Sequence, residues 1–464
     1  MSIDPNLSAI LARVSRREGV SPALLLGVLA SMGQASGKPD FSRIEHDLLR
    51  KAGESQALRA RLSKPSGIDA EFDRLRILAA AALAEGRFAE ADRALAQAEQ
   101  RNLDSSAGHD KISPERLLAA AAGRADRGTV AMLRLHPQAY RDGAERFAEA
   151  ALIANSAGAG QGHAYSLRQA DALARIGADF RDRTGFTAAI TQLRAMLAKL
   201  DNFDQTVPWA ETQLRLARSL TGIWHLEGDP ALLRDSAAIY RATLEDLRQE
   251  HAPGLWAGIQ SRLGEVLARL GEREDDAALL EDSVTAFKAA LSGMKRAEMP
   301  REWTRLQCEL GKAYVALGLR AHGALALEAA VNCFKFVLDD WTRESVPLDW
   351  AAVQDRIGFA LFALAAHYRE PVVLEEAVAA FDAALEERRR DMVPGLWAET
   401  TAGRAVALSQ LASRLSDRAL AEKAAADLMV AIETFRALGQ AAVAKRFEPR
   451  LVEAGTLIQQ LRKN

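Results

Sequence analysis

Histidines and paired carboxylates are the residues of this sequence whose chemistry could support catalysis. None of the eight histidines belongs to a His-Glu-x-x-His metal motif, and no Gly-x-Ser-x-Gly nucleophile elbow occurs. The pairs Asp275-Asp276, Glu375-Glu376 and Glu386-Glu387 fall on predicted solvated helix faces or loops, whereas a catalytic pair requires burial and shifted pKa values. The sequence therefore predicts no catalytic residue, no metal and no cofactor, and we expect a protein that is not an enzyme.

Two cysteines, a glycine-rich run and an arginine run are the other chemically notable features. Cys308 and Cys333 do not form a Cys-x-x-Cys pair, so we expect two buried free thiols. The glycine-rich run at 156–162 does not follow a predicted strand, which argues against a phosphate-binding loop and leaves a hinge as its interpretation. The three arginines at 388–390 end a predicted helix, where cations complement the helix dipole. A contact with a phosphate or an acidic peptide is the alternative.

Composition limits the class of partner. The 464 residues are 49% hydrophobic and 26% charged, with a net charge of −2, whereas a general nucleic-acid binder usually carries a basic face. No apolar run is long enough to span a bilayer, and the N-terminus lacks the basic and apolar regions of a signal peptide. We therefore expect a cytoplasmic protein that binds neither nucleic acid nor membrane. The oligomeric state stays open.

A repeat with a period of 47 residues organises most of the chain. Proline and leucine positions keep the same spacing as the tryptophan that marks each unit. A fixed period of this size indicates a repeat architecture in which neighbouring units stack. Because the tryptophan recurs in register with apolar core positions, we expect it to be structural rather than an exposed ligand stripe. The five tryptophans are Trp209, Trp256, Trp303, Trp350 and Trp397.

Each unit has the pattern of two amphipathic helices joined by a loop. In the unit at Trp256, apolar residues recur at spacings of three and four from 256 to 270 and again from 280 to 291. Pro253 precedes the first helix, where a missing N–H does least harm. Gly271 is expected to end that helix in the left-handed conformation. The pattern predicts an all-α fold.

The unit also carries the residues of a known repeat family. Its pattern is Gln260-x-x-Leu263-Gly264-x-x-Leu267-x-x-x-Gly271, followed by Leu280-x-x-Ser283-x-x-x-Phe287-x-x-Ala290-Leu291. This pattern resembles the tetratricopeptide repeat (TPR), whose usual unit is about 34 residues long. The longer unit, with its Pro-x-x-Trp-Ala start, is similar to repeats of bacterial multi-repeat proteins and more distantly to kinesin light chain. The resemblance implies a right-handed α-α superhelix, a solenoid that binds a protein or peptide partner.

The repeat columns suggest how the chain is divided. The expected parts are a small helical N-terminal segment at 1–65, two shorter or degenerate repeats at 66–155, a hinge at 156–161, six long repeats at 162–440 and a capping helix at 441–464. Terminal units of solenoids are usually atypical, and a polar outer face keeps them soluble.

The TPR resemblance indicates which residues would line a concave groove. In that family the groove is formed by first-helix residues that face away from the second helix. Carrying those positions over predicts a groove of mixed charge with a basic centre and an aromatic step, which suits an extended or helical peptide with an acidic and an apolar anchor. The candidates are Arg218, Glu265, Arg269, Arg305, Lys312, Asp355, Phe359 and Phe362, with Ser261 and Cys308 at neighbouring groove positions.

Two functions are compatible with this pattern. The first is a non-enzymatic scaffold or adaptor that holds a partner in the groove. The second is a ligand-responsive regulator, in which a peptide or small molecule changes the superhelix and the exposure of residues 1–65. A clamp for chaperone C-termini is not expected, because no asparagine lies on a predicted first helix of the repeats.

Overall fold

The chain folds into helices, and within each of its two compact units helices pack against their neighbours in sequence. The structure, a computed structural model, describes residues 4–32, 41–104, 112–158 and 160–462, and within these ranges it contains helices and no strand. The chain packs as two compact units, Met1–Ile239 (unit 1) and Tyr240–Asn464 (unit 2). The predicted fold class, an all-α TPR-like repeat, is confirmed. No helix in the described ranges is both long enough and apolar enough to cross a membrane.

Unit 1 begins with three helices that precede the helix pairs. Ser21 accepts a hydrogen bond from the Leu24 N–H at 3.2 Å, and Ser113 accepts one from the Arg116 N–H at 3.4 Å, so each serine caps the helix that follows it. The helices are α1 Pro5–Glu18, α2 Pro22–Ser31, α3 Phe41–Leu62, α4 Ala70–Ala84, α5 Phe88–Leu103, α6 Pro114–Leu133, α7 Pro137–Ala157, α8 His163–Phe180, α9 Arg183–Leu197 and α10 Thr206–Glu227, with α11 Pro230–Asp246 at the boundary of the units.

Unit 2 is a regular series of helix pairs. Its first helices begin at Pro253, Pro300, Pro347 and Pro394, so the helix starts keep the 47-residue spacing of the sequence. Each first helix packs against the second helix that follows it. The helices are α12 Pro253–Glu274, α13 Ala277–Ser292, α14 Pro300–Leu317, α15 Gly323–Asp340, α16 Pro347–Leu364, α17 Val372–Glu387, α18 Pro394–Leu415, α19 Arg418–Ala437 and α20 Ala441–Leu461.

The glycine of the Leu-Gly position is explained by helix packing. In the α12–α13 pair, a Cβ added to Gly264 would lie 2.9 Å from Cδ1 of Phe287, whose side chain is 1% exposed. The same contact joins Gly311 to Phe334, at 2.6 Å from Cε1. The phenylalanine of each second helix therefore packs directly on the backbone of the first helix, and any side chain at this position would push the helices apart.

The predicted end of the first helix is wrong by one turn. α12 continues through Gly271 to Glu274, and the left-handed residue is Asp275, with φ 55° and ψ 37°. Gly271 is required for packing instead, because a Cβ there would lie 2.7 Å from Cγ of the buried Leu280. The tertiary contact, rather than the need for positive φ, accounts for this glycine.

The expected hinge at 156–161 begins in the last two residues of α7 and ends before α8, and residue 159 falls outside the described residues. The Gly162 N–H donates a hydrogen bond to Oδ1 of Asn155 at 2.9 Å. A Cβ at Gly162 would lie 2.3 Å from the carbonyl oxygen of Ala151, so the start of α8 packs closely on α7. Hinge motion stays a prediction. The Gly/Ser linker expected at 33–39 lies outside the described residues.

Candidate binding surface

The first helices of unit 2 share a polar surface, called here the first-helix face, that comprises Glu265, Arg305, Lys312, Arg356 and Phe359. Nη1 of Arg305 on α14 lies 3.2 Å from Oε1 of Glu265 on α12. This ion pair places candidate residues of two successive repeats side by side, as the sequence analysis requires of a continuous surface. Both side chains keep contact with solvent, at 44% exposure for Arg305 and 22% for Glu265.

The remaining cations of this face have local partners. Lys312 lies 2.7 Å from Glu309 one turn earlier on α14. Arg356 on α16 donates through Nη1 to Sγ of Cys308 on α14 at 3.7 Å, which joins the next pair of repeats. The predicted basic centre is therefore interleaved with carboxylates, and its charges are engaged in surface pairs that each contribute about 0–1 kcal/mol to stability.

Two of the expected groove positions are buried. Ser261 is 2% exposed and Cys308 is 4% exposed, and Cys308 contacts Arg356 of the next repeat. Burial raises the pKa of the Cys308 thiol, against the opposing effect of Arg356. Burial also raises the pKa of the Cys333 thiol to about 11. The prediction of two buried free thiols is confirmed, and Ser261 and Cys308 are removed from the candidate surface.

The aromatic step is reduced to one exposed ring. Phe359 is 45% exposed on α16. Phe362, one turn further along, is half-buried and packs against the core of unit 2 beside Val373. Phe359 is therefore the exposed aromatic side chain of the first-helix face, and Phe362 packs against the core beneath it.

Asp355 is partly buried, at 22% exposure, and its carboxylate pairs with side chains of unit 2. Its Oδ1 accepts from Oγ1 of Thr400 at 2.8 Å, and its Oδ2 lies 3.2 Å from Nη1 of Arg388, which is 5% exposed. Arg388 also donates to Thr400 at 2.6 Å. The carboxylate thus pairs with a buried arginine, and the groove position of Asp355 stays a prediction.

The repeat period shows what this polar cluster replaces. The residues 47 positions earlier than Asp355, Arg388 and Thr400 are Cys308, Trp341 and Val353. Those three lie together in one apolar cluster. One interface of the repeat series therefore carries a buried ion pair where the preceding interface is apolar, a substitution that periodicity alone does not reveal.

Arg218 and Arg269 complete the sequence-predicted set. Arg218 is exposed on α10 of unit 1, and Arg269 is exposed near the C-terminal end of α12 in unit 2. Arg269 therefore lies on the same helix as Glu265, one turn away. Arg218 belongs to unit 1 and is not part of the first-helix face of unit 2.

The repeated tryptophans are partly buried and are covered by arginines of the same chain. Trp256 packs on the backbone at the end of α13, since its Cε3 atom would lie 3.3 Å from a Cβ at Gly293. Such contacts agree with the expected structural role and leave little of the ring faces for a ligand. Guanidinium carbons stack over three of the rings: Arg296 over Trp303 at 4.9 Å, Arg343 over Trp350 at 5.6 Å and Arg390 over Trp397 at 5.1 Å.

Unit 1 contains a buried charged network that the sequence analysis did not identify. Lys51 on α3 is 0% exposed; its Nζ donates to the carbonyl oxygen of Met132 at 2.6 Å and to Oε2 of Glu54 at 2.8 Å. Nη1 of Arg175 on α8 lies 2.5 Å from the other oxygen of Glu54. Burial lowers the pKa of Lys51 to about 8, although Glu54 opposes this shift.

A second part of this network joins α3 to α7 and α8. Arg50 lies 3.0 Å from Oδ2 of Asp179, which also accepts from the hydroxyl of Tyr140 at 2.7 Å. Burial and then the Asp179 carboxylate raise the pKa of Tyr140. α3 is thus tied to the first helices α6 and α8, and its leucines share a core cluster with residues of α4 and α6. A lysine in sequence usually indicates an exposed residue, so no local signal marked Lys51.

Comparison with known proteins finds similarity to solved structures only, at low sequence identity. No protein-family model matches the chain, and no curated protein matches it. Among the 49 solved chains with a match, the apo form of the quorum sensor NprR from B. thuringiensis covers 93% of this chain and 97% of its own, at 11% identity and TM-score 0.38. A signal transduction ATPase (STAND) with a tetratricopeptide repeat sensor from Pyrococcus horikoshii covers 97% of this chain and 69% of its own, at 13% identity and TM-score 0.39. A Rap protein complexed with competence and sporulation factor covers 88% and 99%, at 14% identity and TM-score 0.34.

Proposed function

We propose that the protein is a non-enzymatic, cytoplasmic repeat scaffold that binds a peptide segment of a partner protein on the first-helix face of unit 2. The observation that supports this most directly is Phe359, a large aromatic side chain that is 45% exposed on α16, one turn after the partly buried Arg356. Exposed aromatic residues ringed by polar ones are typical anchors of protein interfaces. A partner would cover this ring and gain the apolar area that it now exposes to water.

The charged residues of the first-helix face indicate the chemistry of the partner. Arg305 and Lys312 are 44% and 39% exposed in pairs with carboxylates of the same face. Exposed pairs of this kind hold their geometry weakly, so an incoming carboxylate competes with Glu265 or Glu309 at little cost. The preferred ligand is a segment with one apolar anchor for Phe359 and acidic side chains for these cations, and charge complementarity sets its orientation.

In the described part of unit 1, α3 covers part of the first helices α4, α6 and α8. The helix α3 packs on these first helices through the shared core and the network of Lys51 and Arg50. The chain therefore covers its own first helices there. This difference between the units favours unit 2 as the binding surface.

A ligand-responsive regulator is the second function kept from the sequence. It requires the N-terminal segment to change its exposure. Lys51 and Arg50 join α3 to α6 and α8 by buried contacts, and the leucines of α3 are part of the unit 1 core. Release of α3 would expose that core and leave buried charges unpaired, so the static scaffold is the better-supported proposal.

The test compares two exposed phenylalanines of unit 2. Phe359→Ser removes the proposed anchor, and Phe336→Ser is the matched control, because Phe336 is 51% exposed on the second helix α15. Tagged wild type and both variants are used to capture partners from the native cell extract, after circular dichroism shows equal helicity. An interface anchor contributes about 2 kcal/mol or more, so captured partner should fall about thirtyfold with Phe359→Ser and stay unchanged with Phe336→Ser.

A partner retained equally by both variants would refute binding at the first-helix face. Charge reversal by Arg305→Glu with Lys312→Glu provides an independent variant at the same surface. It should weaken capture and remove its dependence on salt, because the acidic residues of the partner would lose their cations.

A further inference from the structure

Three arginines stack on the repeated tryptophans, and in two of these repeats a carboxylate of the same chain forms an ion pair with the arginine. Nη2 of Arg296 lies 2.7 Å from Oδ1 of Asp340, at the end of α15. Nε of Arg343 lies 2.6 Å from Oε1 of Glu387, at the end of α17, and Arg343 also pairs with Glu386. Each of these pairs spans 44 residues, so Asp340 and Glu387 hold equivalent positions in successive repeats.

The third arginine of this series has no such partner. The residue 44 positions after Arg390 is Thr434, whose hydroxyl donates to the carbonyl oxygen of Val430 at 2.8 Å and whose side chain is buried. Within the described residues no carboxylate lies within ion-pair distance of Arg390. The adjacent Arg389 is already paired with Asp391 at 2.7 Å.

Stacking on Trp397 orients the guanidinium of Arg390. Its guanidinium carbon lies 5.1 Å from the ring centroid of Trp397, between the 4.9 Å and 5.6 Å found for Arg296 and Arg343. A stacked guanidinium keeps its N–H donors in a fixed plane, and a planar fork of donors matches a carboxylate. The stacked geometry seen with Asp340 and Glu387 in the earlier repeats is therefore present here, and no described residue of the chain fills the acceptor position.

Three exposed apolar side chains lie on or beside the loop and helix start that follow Arg390. Met392 is 45% exposed, Leu396 is 39% exposed and Leu438 is 42% exposed. Leu438 Cδ1 lies 3.8 Å from the place of a Cβ at Gly395, so it borders the same loop and helix start as the other two. A charged donor beside three exposed apolar side chains fits an acidic residue with apolar neighbours.

We propose that Arg390 and Trp397 form a docking site for an acidic side chain of a partner protein. The carboxylate of that side chain takes the place that Asp340 and Glu387 occupy in the preceding repeats, and the apolar residues beside it contact Met392, Leu396 and Leu438. This site is separate from the first-helix face, and it does not depend on binding at Phe359.

The test uses the full chain and a random-peptide phage library as the probe. Peptides selected on wild type are synthesised, and their affinity is measured by fluorescence anisotropy for wild type, Arg390→Gln and Arg343→Gln. Arg343→Gln is the matched control, because Arg343 stacks on its tryptophan in the same way but already holds Glu386 and Glu387. Loss of a charge-assisted pair should weaken binding by about tenfold or more in Arg390→Gln, and Arg343→Gln should bind like wild type.

Three results would overturn the proposal. The first is a selected set without peptides that carry Asp or Glu beside apolar residues. The second is equal affinity of such peptides for wild type and Arg390→Gln, with circular dichroism showing both folded. The third is displacement of the peptides by inorganic phosphate at equal concentration, which would assign the site to phosphate rather than to a side-chain carboxylate.

Discussion

The contact between Gly264 and Phe287 gives the sharpest test of how the repeats pack. We predict that Gly264→Ala destabilises the α12–α13 pair, although alanine is the better helix former. Replacing glycine by alanine inside a helix contributes about 1 kcal/mol of helix propensity. Against this gain, the new Cβ would lie 2.9 Å from Cδ1 and Cε1 and 3.0 Å from Cγ of Phe287, well inside van der Waals contact.

The magnitude follows from how little the ring can move. Phe287 is 1% exposed, so three ring atoms must shift into a packed core. Overpacking of this kind costs about 1–3 kcal/mol. Gly258→Ala is the matched control on the same helix, because a Cβ at Gly258 meets nothing within 4 Å. We expect Gly258→Ala to stabilise by about 1 kcal/mol and Gly264→Ala to lie about 1–3 kcal/mol below it.

The assay must report the local stability of one repeat. Hydrogen exchange measured by mass spectrometry on segments of α12 and α13 suits a repeat protein, since each unit contacts mainly its neighbours. Urea unfolding of the same variants gives the effect on the whole chain. Equal protection in the two variants would refute the packing argument. Phe287→Leu added to Gly264→Ala should recover part of the loss, and additivity of the two changes would contradict the contact.

Three further predictions concern other parts of the chain. Lys51→Met should remove a pH dependence of stability, because burial lowers the pKa of Lys51 from 10.5 to about 8 and the unfolded state binds more protons between these values. The stability of wild type relative to Lys51→Met, measured by urea unfolding, should rise by up to about 3 kcal/mol as pH increases through this range. A difference that stays constant with pH would refute the buried charge. Ser416→Gly should raise stability by about 0.5–1 kcal/mol, because Ser416 has φ 54° and ψ 35°, and a lower melting temperature would contradict this. Asp355→Ala should lower the free energy of unfolding by about 3 kcal/mol by leaving Arg388 unpaired, and adding Arg388→Met should recover more than half of that loss. An unchanged free energy of unfolding in Asp355→Ala would contradict this role of the ion pair.

Much of the fold could be predicted from the spacing of residue types. The 47-residue period, the two helices of each unit and the apolar stripe from Ile259 to Leu270 all agree with the structure. These features depend on local periodicity, which a helix imposes on any sequence that buries one face. The error at Gly271 has a tertiary cause, since that glycine serves the contact with Leu280 and the helix ends at Asp275.

The candidate surface could be predicted only in part. The exposure of Phe359, Arg305 and Arg269 agrees with their placement on one helix face. Cys308 and Asp355 occupy equivalent positions of that pattern, yet both contact the neighbouring repeat. Helical periodicity separates the core side of a helix from the rest, but it does not divide the rest between solvent and the next repeat.

The sequence by itself determined the repeat, the helix pairs and the glycine–phenylalanine positions, because each follows from spacing along one chain segment. Only the tertiary structure decided which first helices are covered by α3 and which carboxylate pairs with the buried Arg388. It also decided which of the stacked arginines, Arg390, has no carboxylate partner among the described residues. These features join residues that lie far apart in sequence, such as Lys51 and Met132. Their energies arise from burial and pairing at those contacts, which no local pattern of residues records.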